Sequence, residues 1–501
     1  MRILLTTLNS KYIHSNLALK YLYCVAAGSD LDVSMREFTI NNEKDYIYTE
    51  IIRGGYDYVC FSCYIWNITQ INELCASLKK ASPEMKIILG GPEVSYETIE
   101  YMEEHPWAEA VIRGEGEYAF FRLCRDLSLG DGFDDVPGLT WRKDGGIAEN
   151  PEGPLLKMDQ LPFPYETLEI EDDKVIYYES SRGCPYRCSY CLSSLDKSIR
   201  TLSLQRTRRD LGYFLMKGVR QVKFIDRTFN FNMSRAYDIW QYLIDNDNGV
   251  TNFHFEICAD LLDDHLIALL SKARAGLFQL EIGIQSTCEK SLAACDRNTD
   301  TDVVLSNVRK LVALGNMHIH VDLIAGLPYE DYRTFAKSFN DVRRLHADNM
   351  QLGFLKLLKG TKARSCAEEY GYVYRDEAPY EIISNNFMSP TDIIKLKMIE
   401  TVLELYSNKG GFERSLSYLE AELAETPFNF YEQLADFFYS NGFQHKSHKK
   451  EDLYRILLAF AETRSYSVAV AEQARKLLAE DLTDTMNFDA VKKFKAKGWE
   501  I

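Results

Sequence analysis

Three cysteines stand close together near the middle of the chain. Cys184, Cys188 and Cys191 lie in a segment that reads SRGCPYRCSYC. Cysteine thiolates are the usual protein ligands of iron–sulfur clusters. A 4Fe–4S cube has four irons, and no fourth cysteine lies nearby, since Cys124 and Cys258 are the nearest others. One iron would therefore keep an open position, where a ligand can bind and react.

A structural zinc site is the alternative interpretation of these thiols. Zinc-binding sequences usually show two close cysteine pairs, or a cysteine pair followed by a histidine pair. The spacing of Cys184, Cys188 and Cys191 matches neither pattern. The triplet therefore favours an iron–sulfur cluster.

Length and composition indicate a globular protein of several domains. A chain of 501 residues is too long for one core, and 46% of its residues are apolar. No apolar run approaches the ~18 residues that cross a bilayer. The chain opens with MRILLT, which predicts a short strand rather than a signal peptide, so we expect a cytoplasmic protein with reduced cysteines. A net charge of −16 argues against non-specific nucleic-acid binding.

Residues 1–130 alternate between predicted strands and helices, a pattern typical of a parallel sheet covered on both faces. Ligands of such a sheet bind at the C-terminal ends of its strands. Residues 131–173 are rich in Gly, Pro and Asp, and we interpret them as a linker with a hairpin turn at Asp144-Gly145-Gly146. The predicted strands are Arg2–Leu8, Asp32–Phe38, Tyr58–Tyr64, Lys86–Leu89 and Ala110–Arg113, and the helices include Asn16–Ala27, Ile68–Lys80 and Val94–Glu104.

Residues 174–365 repeat the strand–helix alternation, so the predicted fold class is α/β. Residues 366–501 are predicted to form an all-helical domain, because apolar residues between Ile393 and Leu405 recur at helical spacing. The predicted strands are Val175–Glu179, Gln221–Ile225, Phe253–Ile257, Phe278–Ile284, His318–Ile324 and Gln351–Leu357, and the later helices are Tyr431–Ser440, Asp452–Ala461 and Ser467–Ala479.

Polar residues alternate with apolar ones along three of these later strands, which places the polar residues of each strand on one face. Polar groups that face the inside of a closed barrel need a reason, and a zwitterionic ligand is one. The residues that share a face are His254 with Glu256, Glu281 with Gly283 and Gln285, and His318 with His320 and Asp322.

The spacing Cys-x-x-x-Cys-x-x-Cys, with Tyr190 before the last cysteine, resembles the cluster loop of the radical S-adenosylmethionine (SAM) superfamily. The resemblance implies a partial (β/α)₆ barrel whose open iron chelates the amino and carboxylate groups of SAM, with Tyr190 beside the adenine. It also implies an electron donor such as flavodoxin or ferredoxin. Reductive cleavage would then give methionine and a 5′-deoxyadenosyl radical.

The same resemblance assigns five further residues to SAM binding. Asp226 would receive the SAM amino group, although the family's common Gly-Gly-Glu is replaced here by the segment FIDRTF. Glu256 would lie near the ribose or methionine. Gln285 and Ser286 would lie near the ribose, and Asp322 beside the adenine.

The N-terminal domain resembles a cobalamin-binding domain. Ser62 and the pair Gly90-Gly91 would form the pocket for the nucleotide tail, since glycine lets the backbone approach a flat base closely. Glu115, in the segment RGEGE, follows the fifth strand as in such proteins. The axial-histidine motif Asp-x-His-x-x-Gly is absent, so we predict that His14 is not a cobalt ligand. A Rossmann-like module without a cofactor is the alternative.

Together these resemblances imply a cobalamin-dependent radical SAM enzyme. The first hypothesis is a methyltransferase that acts on an unactivated carbon of a small molecule or peptide, with ring rearrangement or another non-methylating outcome also open. The acidic composition favours such a substrate over nucleic acid. The helical tail resembles one attached to a poorly characterised subset of such proteins, and its Pro379-Tyr380-Glu381 segment is a candidate signature without an assigned mechanism.

Two other functions remain open from the sequence. A methylthiotransferase acting on RNA or protein would need three cluster cysteines in its N-terminal domain. Cys24 and Cys60 are suitably spaced, but Val94 stands where the third is expected. A non-enzymatic iron–sulfur redox protein would explain the thiols, but not the acidic residues on the barrel strands.

Overall fold

The computed structural model describes residues 1–27, 31–196 and 198–486. It contains an N-terminal sheet domain, a barrel-like sheet and a mostly helical C-terminal region, so the predicted fold class is confirmed. The end of the predicted helical domain, residues 487–501, lies outside the described residues. Within the described ranges, no helix combines the length and apolarity needed to span a membrane.

The N-terminal sheet has seven strands in the order β2-β1-β3-β4-β5-β6-β7, of which the first five are parallel. The strand order reverses between β1 and β3, and ligands of open parallel sheets bind at such a reversal. The elements are β1 Arg2–Asn9, α1 Leu17–Ala26, β2 Asp32–Thr39, α2 Lys44–Gly54, β3 Tyr58–Ser62, α3 Ile68–Ala81, β4 Lys86–Gly90, α4 Thr98–Glu104, β5 Ala108–Ile112, α5 Gly116–Leu129, β6 Leu139–Lys143 and β7 Gly146–Glu149.

The predicted linker is only partly a linker. Strands β6 and β7 pair antiparallel beside β5 and extend the sheet. They cover an edge that would otherwise expose unpaired backbone groups. The hairpin turn is where we predicted it, because Asp144 and Gly145 both have positive φ, 51° and 81°, as a tight two-residue hairpin requires.

The barrel-like sheet has six parallel strands in chain order, β8-β11-β12-β13-β14-β15. The elements of this region are β8 Ile176–Tyr178, β9 Ser181–Arg182, β10 Arg200–Thr201, α6 Leu204–Lys217, β11 Gln221–Phe224, α7 Met233–Asp245, β12 Asn252–Ile257, α8 Asp264–Leu270, β13 Phe278–Gln285, α9 Glu289–Ala294, α10 Thr301–Leu314, β14 His318–Ala325, α11 Tyr332–Arg343 and β15 Asn349–Phe354.

The C-terminal region is mainly helical, with its long helices after residue 390. A short antiparallel strand pair precedes the helices, so the prediction of an all-helical domain was wrong at its start. The elements are α12 Lys362–Ser365, α13 Ala367–Tyr370, β16 Val373–Tyr374, β17 Ile382–Ser384, α14 Pro390–Leu403, a π-helical turn Glu404–Asn408, α15 Glu413–Leu423, α16 Pro427–Ser440, α17 Lys450–Arg464 and α18 Val468–Thr485.

Candidate cofactor site

The three cysteines of the central triplet line one cavity of about 180 Å³ at the mouth of the barrel. The loop that carries them begins at Gly183, where φ is +87° and a Cβ would lie 2.1 Å from the carbonyl oxygen of Ser198, so only glycine fits there. Cys184 and Cys188 are buried, with 9% and 5% of their surface exposed. The loop therefore holds its thiols at the barrel mouth, away from bulk water.

Two neighbours act directly on these thiols. The Arg297 guanidinium donates to Cys188 Sγ at 3.6 Å, and Cys184 Sγ lies 3.4 Å from Thr228 Oγ1. Burial raises the pKa of the Cys188 thiol, and the positive charge of Arg297 opposes that rise. Arg297 thus stabilises the thiolate form, which is the form that binds iron.

The chemistry of the three cysteines suits a 4Fe–4S cluster. Cysteine thiolates are the usual ligands of such clusters, and each thiolate binds a different iron. All three cysteines line the same cavity. Among the described residues, no three His, Cys, Asp or Glu side chains form a site for a single metal ion.

Four of the six predicted SAM residues line this cavity: Tyr190, Glu256, Gln285 and Asp322. Gln285 Oε1 is buried without a hydrogen-bond partner in the described structure. Burial raises the pKa of Glu256 to about 7, against the opposing charge of Arg227. Burial also raises the pKa of Asp322, whose carboxylate is 2.9 Å from His320 Nε2. A ligand with positive charge, such as a sulfonium or ammonium group, would favour ionisation of both carboxylates.

The other two predicted SAM residues lie outside the cavity. Asp226 is 1% exposed, and its oxygens accept hydrogen bonds from Ser180 N, Ser180 Oγ and Ser181 Oγ at 2.6–2.7 Å. Ser286 Oγ donates to the buried Glu330 at 2.7 Å. The expectation that Asp226 and Ser286 contact SAM is therefore not supported, because both side chains are committed to the protein.

The residue after Asp226 enters the cavity instead. Asp226 is buried against Ser180, whereas Arg227, in the turn after β11, lines the cavity. Alternation along the strand does not reach Arg227, because β11 ends at Phe224. Arg297 was also missed, and no local pattern marks it, because it comes from the loop after α9.

Most of the polar side chains on the barrel strands below the cavity pair with one another. Glu281 Oε2 is 2.9 Å from both Lys223 Nζ and His254 Nε2. Burial raises the pKa of Glu281, but these partners outweigh it and lower the pKa to about 2. The interior is therefore polar as predicted, and internal ion pairs account for much of that polarity.

A second cavity, of about 410 Å³, opens at the C-terminal ends of β1, β3, β4 and β5. All four predicted cobalamin residues, Ser62, Gly90, Gly91 and Glu115, line it. Its other walls are mainly apolar, as suits a flat aromatic ring. The apolar side chains are Leu5, Leu19, Leu22, Phe61, Ile88, Leu89, Ile112, Phe120 and Leu192.

Gly91 also shapes the backbone at the rim of this cavity. Its φ is +104°, and a Cβ there would lie 2.5 Å from the carbonyl oxygen of Cys63. Glycine is thus required by the close approach of the loops after β3 and β4. These loops form the rim of the cavity, so Gly91 shapes the site through the backbone.

Glu115 lines the second cavity, but its carboxylate is committed to the barrel. Arg200 Nη1 donates to it at 3.1 Å, and Arg182 Nη1 lies at 3.3 Å. Burial raises the pKa of Glu115, but these two arginines outweigh it and hold the pKa below its ordinary value. Arg182 also pairs with Glu117 and Glu179, so one buried cation joins the two domains beside the cavity.

His14 lies away from the second cavity. Its Nδ1 is 2.7 Å from the hydroxyl of Tyr177, and burial lowers the pKa of its ring. That His14 is not a cobalt ligand stays a prediction.

The two cavities adjoin. Arg227 lines both of them, and Leu192, which follows the last cysteine of the cluster loop, lines the second. The protein therefore has two neighbouring candidate cofactor sites. One is the cavity of the N-terminal sheet domain, and the other is the cysteine-lined cavity at the mouth of the barrel.

Family models match three stretches of the chain. Residues 3–123 match the B12 binding domain, residues 178–342 match the Radical SAM superfamily, and residues 368–499 match a protein family of unknown function, DUF4080. The chain thus contains a Radical SAM domain in the barrel region and a B12-binding domain before it. The cofactors predicted from the sequence, a 4Fe–4S cluster, SAM and cobalamin, are those of the two matched domains.

Curated relatives include radical SAM methyltransferases. The chain is 26% identical over 424 residues to the cobalamin-dependent radical SAM methyltransferase TokK of Streptomyces tokunonensis, covering 76% of this chain and 61% of that protein. It is 33% identical over 171 residues to the uncharacterized methyltransferase PH0819 of Pyrococcus horikoshii, covering 32% of this chain and 37% of that one. The match thus spans less than two thirds of either relative.

Solved structures share the fold. The cobalamin-dependent SAM radical enzyme OxsB, with aqua-cobalamin and SAM bound, aligns with a TM-score of 0.64 at 16% identity, covering 100% of this chain and 84% of that one. The radical SAM methyltransferase TsrM of Kitasatospora setae, with cobalamin and a [4Fe-4S] cluster bound, aligns with a TM-score of 0.64 at 14% identity, covering 89% and 99%.

Proposed function

We propose that this chain is a cobalamin-dependent radical SAM methyltransferase, acting on an unactivated carbon of a small molecule or peptide. The observation that carries the proposal is the shared wall of the two cavities, formed by Arg227. A methyl carrier and a radical source can serve one substrate only if both face it at close range. An external electron donor, of the flavodoxin or ferredoxin class, completes the proposal.

The chain's own residues divide the work between the two cavities. Cys184, Cys188 and Cys191 would hold the cluster, with Arg297 stabilising the thiolate of Cys188. Glu256 and Asp322, which both line the barrel-mouth cavity, would face the positive groups of SAM. When bound, the cluster supplies the electron that cleaves SAM, and cobalamin supplies the methyl-transfer chemistry.

The decisive experiment is anaerobic purification with iron, sulfide and cobalamin, followed by ultraviolet–visible spectra, iron analysis and SAM cleavage after reduction. Alanine in place of each of Cys184, Cys188 and Cys191 should lower cleavage by more than about 100-fold, since loss of outer-shell partners alone costs 10–100-fold. Cys288→Ala is the matched control, because Cys288 is a free thiol outside the cavity. Retained cleavage in all three variants would refute the site.

The fate of the SAM methyl group separates the remaining reactions. With deuterated methyl-SAM, transfer of the label to a substrate supports the methyltransferase. Formation of 5′-deoxyadenosine without transfer of the label supports a non-methylating reaction. This possibility stays open because the chain is 23% identical to an anaerobic magnesium-protoporphyrin IX monomethyl ester cyclase of Rubrivivax gelatinosus. A methylthiotransferase would need a second cluster, yet Cys60 lines the apolar cavity, where burial raises the pKa of its thiol.

A further inference from the structure

The segment Pro379-Tyr380-Glu381 has no role in the cofactor sites described above. It lies between β16 and β17, near the start of the stretch that matches the family of unknown function. Tyr380 is 5% exposed, although tyrosine hydroxyls favour water unless they find a partner. Its partner is in the N-terminal domain.

The Tyr380 hydroxyl donates a hydrogen bond to Glu93 Oε1, a residue 287 positions earlier in the chain. Lys359 Nζ lies 3.7 Å from the same oxygen. Glu93 is itself 5% exposed, and burial raises its pKa while Tyr380 and Lys359 oppose that rise. A buried carboxylate is costly unless it is hydrogen-bonded or paired, so Glu93 depends on these two partners.

Tyr380 is fixed to the barrel by its backbone. Leu357 N donates to the Tyr380 carbonyl at 3.0 Å, and Ile382 N donates to the Leu355 carbonyl at 2.9 Å. Leu355 and Leu357 directly continue strand β15. The hydroxyl is thus held on a rigid support.

A second pair of contacts lies beside the first. Arg364 Nε is 3.2 Å from Glu97 Oε1, and its guanidinium lies 5.1 Å from the centre of the Tyr380 ring. Gly360 packs against Tyr96, where a Cβ would lie 2.5 Å from a ring carbon. The cation–π contact between Arg364 and Tyr380 lies within the segment after β15. The other two contacts join that segment to the loop after β4.

That loop forms part of the wall of the apolar cavity, through Gly91, Pro92, Ser95 and Tyr96. Glu93 and Glu97 lie next to these lining residues in the sequence. The residues that bind Glu93 and Glu97 therefore hold this part of the cavity wall in place. We propose that Tyr380, Lys359 and Arg364 form an interdomain clamp on Glu93 and Glu97, which holds the cobalamin-binding loop in position against the barrel. Tyr380 is thus a positioning residue for the cofactor. The inference rests on the proposed function only in naming cobalamin as the occupant.

The test uses the full-length chain with Tyr380→Phe, which removes one hydroxyl and keeps the ring. We expect the dissociation constant of hydroxocobalamin, from absorbance titration, to rise about 5–10-fold. This is less than the full effect of losing a hydrogen bond to a charged group, because Lys359 still pairs with Glu93. Amide hydrogen exchange of residues 90–97 should become faster. The dissociation constant of SAM should change less than about twofold.

Tyr332→Phe is the matched control, because the Tyr332 hydroxyl donates to Glu432 at 2.7 Å between the barrel and the helical region, away from the cavity. It should leave cobalamin affinity and exchange at residues 90–97 unchanged. In a double-mutant cycle, Glu93→Gln and Tyr380→Phe should be strongly non-additive, since the two groups touch.

Unchanged cobalamin affinity and unchanged exchange in Tyr380→Phe would overturn the clamp, as would an equal effect of Tyr332→Phe. If the wild-type chain bound no cobalamin at all, the proposed function would fail instead. The exchange rates of residues 90–97 would still decide whether Tyr380 holds the loop.

Discussion

The barrel is joined to its two neighbouring regions by different kinds of contact. The helical C-terminal region shares one continuous apolar core with the barrel, in which Phe339 of α11 packs against Phe428 and Tyr431 of α16, with ring centres 5.4 and 5.6 Å apart. The N-terminal sheet keeps two apolar clusters of its own, one on each face. Among the buried residues that the structure describes, Leu17 and Tyr21 of α1 alone join it to the barrel core.

Much of the remaining contact between the N-terminal domain and the barrel is ionic or hydrogen-bonded. It includes Arg182 with Glu115 and Glu117 on one side of the second cavity, and the interdomain clamp on the other. Apolar contact is non-directional and tolerates small shifts, whereas ion pairs and hydrogen bonds fix distance and angle. The helical region therefore stabilises the barrel through shared apolar packing, whereas polar contacts of fixed geometry orient the N-terminal sheet domain.

The largest expected effect comes from the shared apolar core. Phe339→Ala should lower the free energy of unfolding of the barrel and helical region by about 3–5 kcal/mol, because it leaves a cavity among fully buried rings. Urea denaturation would measure the loss. Phe121→Ala is the control, since Phe121 is 43% exposed, and it should change the free energy by less than about 0.5 kcal/mol. Equal effects of the two changes would show that the shared core is not the main support.

A smaller effect is expected at the ionic interface. Arg182→Ala leaves the half-buried Glu115 and the buried Glu117 and Glu179 without their common cation, which should cost about 3 kcal/mol. Cobalamin binding should weaken with it, because Glu115 and Glu117 line the cavity. Urea denaturation and cobalamin titration would measure the two losses. Arg125→Ala is the control, since Asp126 keeps Arg122 as a partner, and an equal loss there would contradict the prediction.

The smallest expected effect is a difference in how the stability of the barrel and of the ionic interface depends on pH. Burial raises the pKa of Glu330, within the barrel, to about 7. A raised folded-state pKa means that the associated stability is present below about pH 4.5 and is lost as pH rises through about 7. When the pH is lowered from 7 to 5, the free energy of unfolding of the wild-type chain should therefore rise by about 1–2 kcal/mol relative to that of Glu330→Gln. Urea denaturation at the two pH values would measure the difference.

The ionic interface should respond to pH in the opposite sense. The pKa of Glu115 is lowered by Arg200 and Arg182, so its contribution is present at neutral pH and is lost as pH falls through the lowered value. Mild acid should thus stabilise the barrel, and stronger acid should weaken the contact between the N-terminal domain and the barrel.

Glu425→Gln is the control for the Glu330 prediction, because Glu425 is exposed. If Glu425→Gln changed the pH dependence of stability as much as Glu330→Gln does, the Glu330 prediction would be contradicted.

Several features could be predicted from the sequence because their causes are local. The spacing of Cys184, Cys188 and Cys191 places three thiols on one short loop. Buried parallel strands appear as short apolar runs, so the order of elements in both sheets could be predicted. The Asp144-Gly145 turn was equally readable, because residues with positive φ have strong type preferences.

Other features depended on which face of a strand or which distant loop a residue meets. Asp226 and Arg227 are adjacent in the sequence, yet one is buried against Ser180 and the other lines both cavities. Glu115 meets Arg200 across 85 residues, and Tyr380 meets Glu93 across 287. The sequence by itself determined the cluster loop and the order of strands in the two sheets, because each depends on neighbours along the chain. The cofactor classes followed from the resemblance of these local motifs to known domains. Only the tertiary structure decided which charged groups face the cofactors and which hold the domains together, because those pairings arise from packing between segments far apart in the chain.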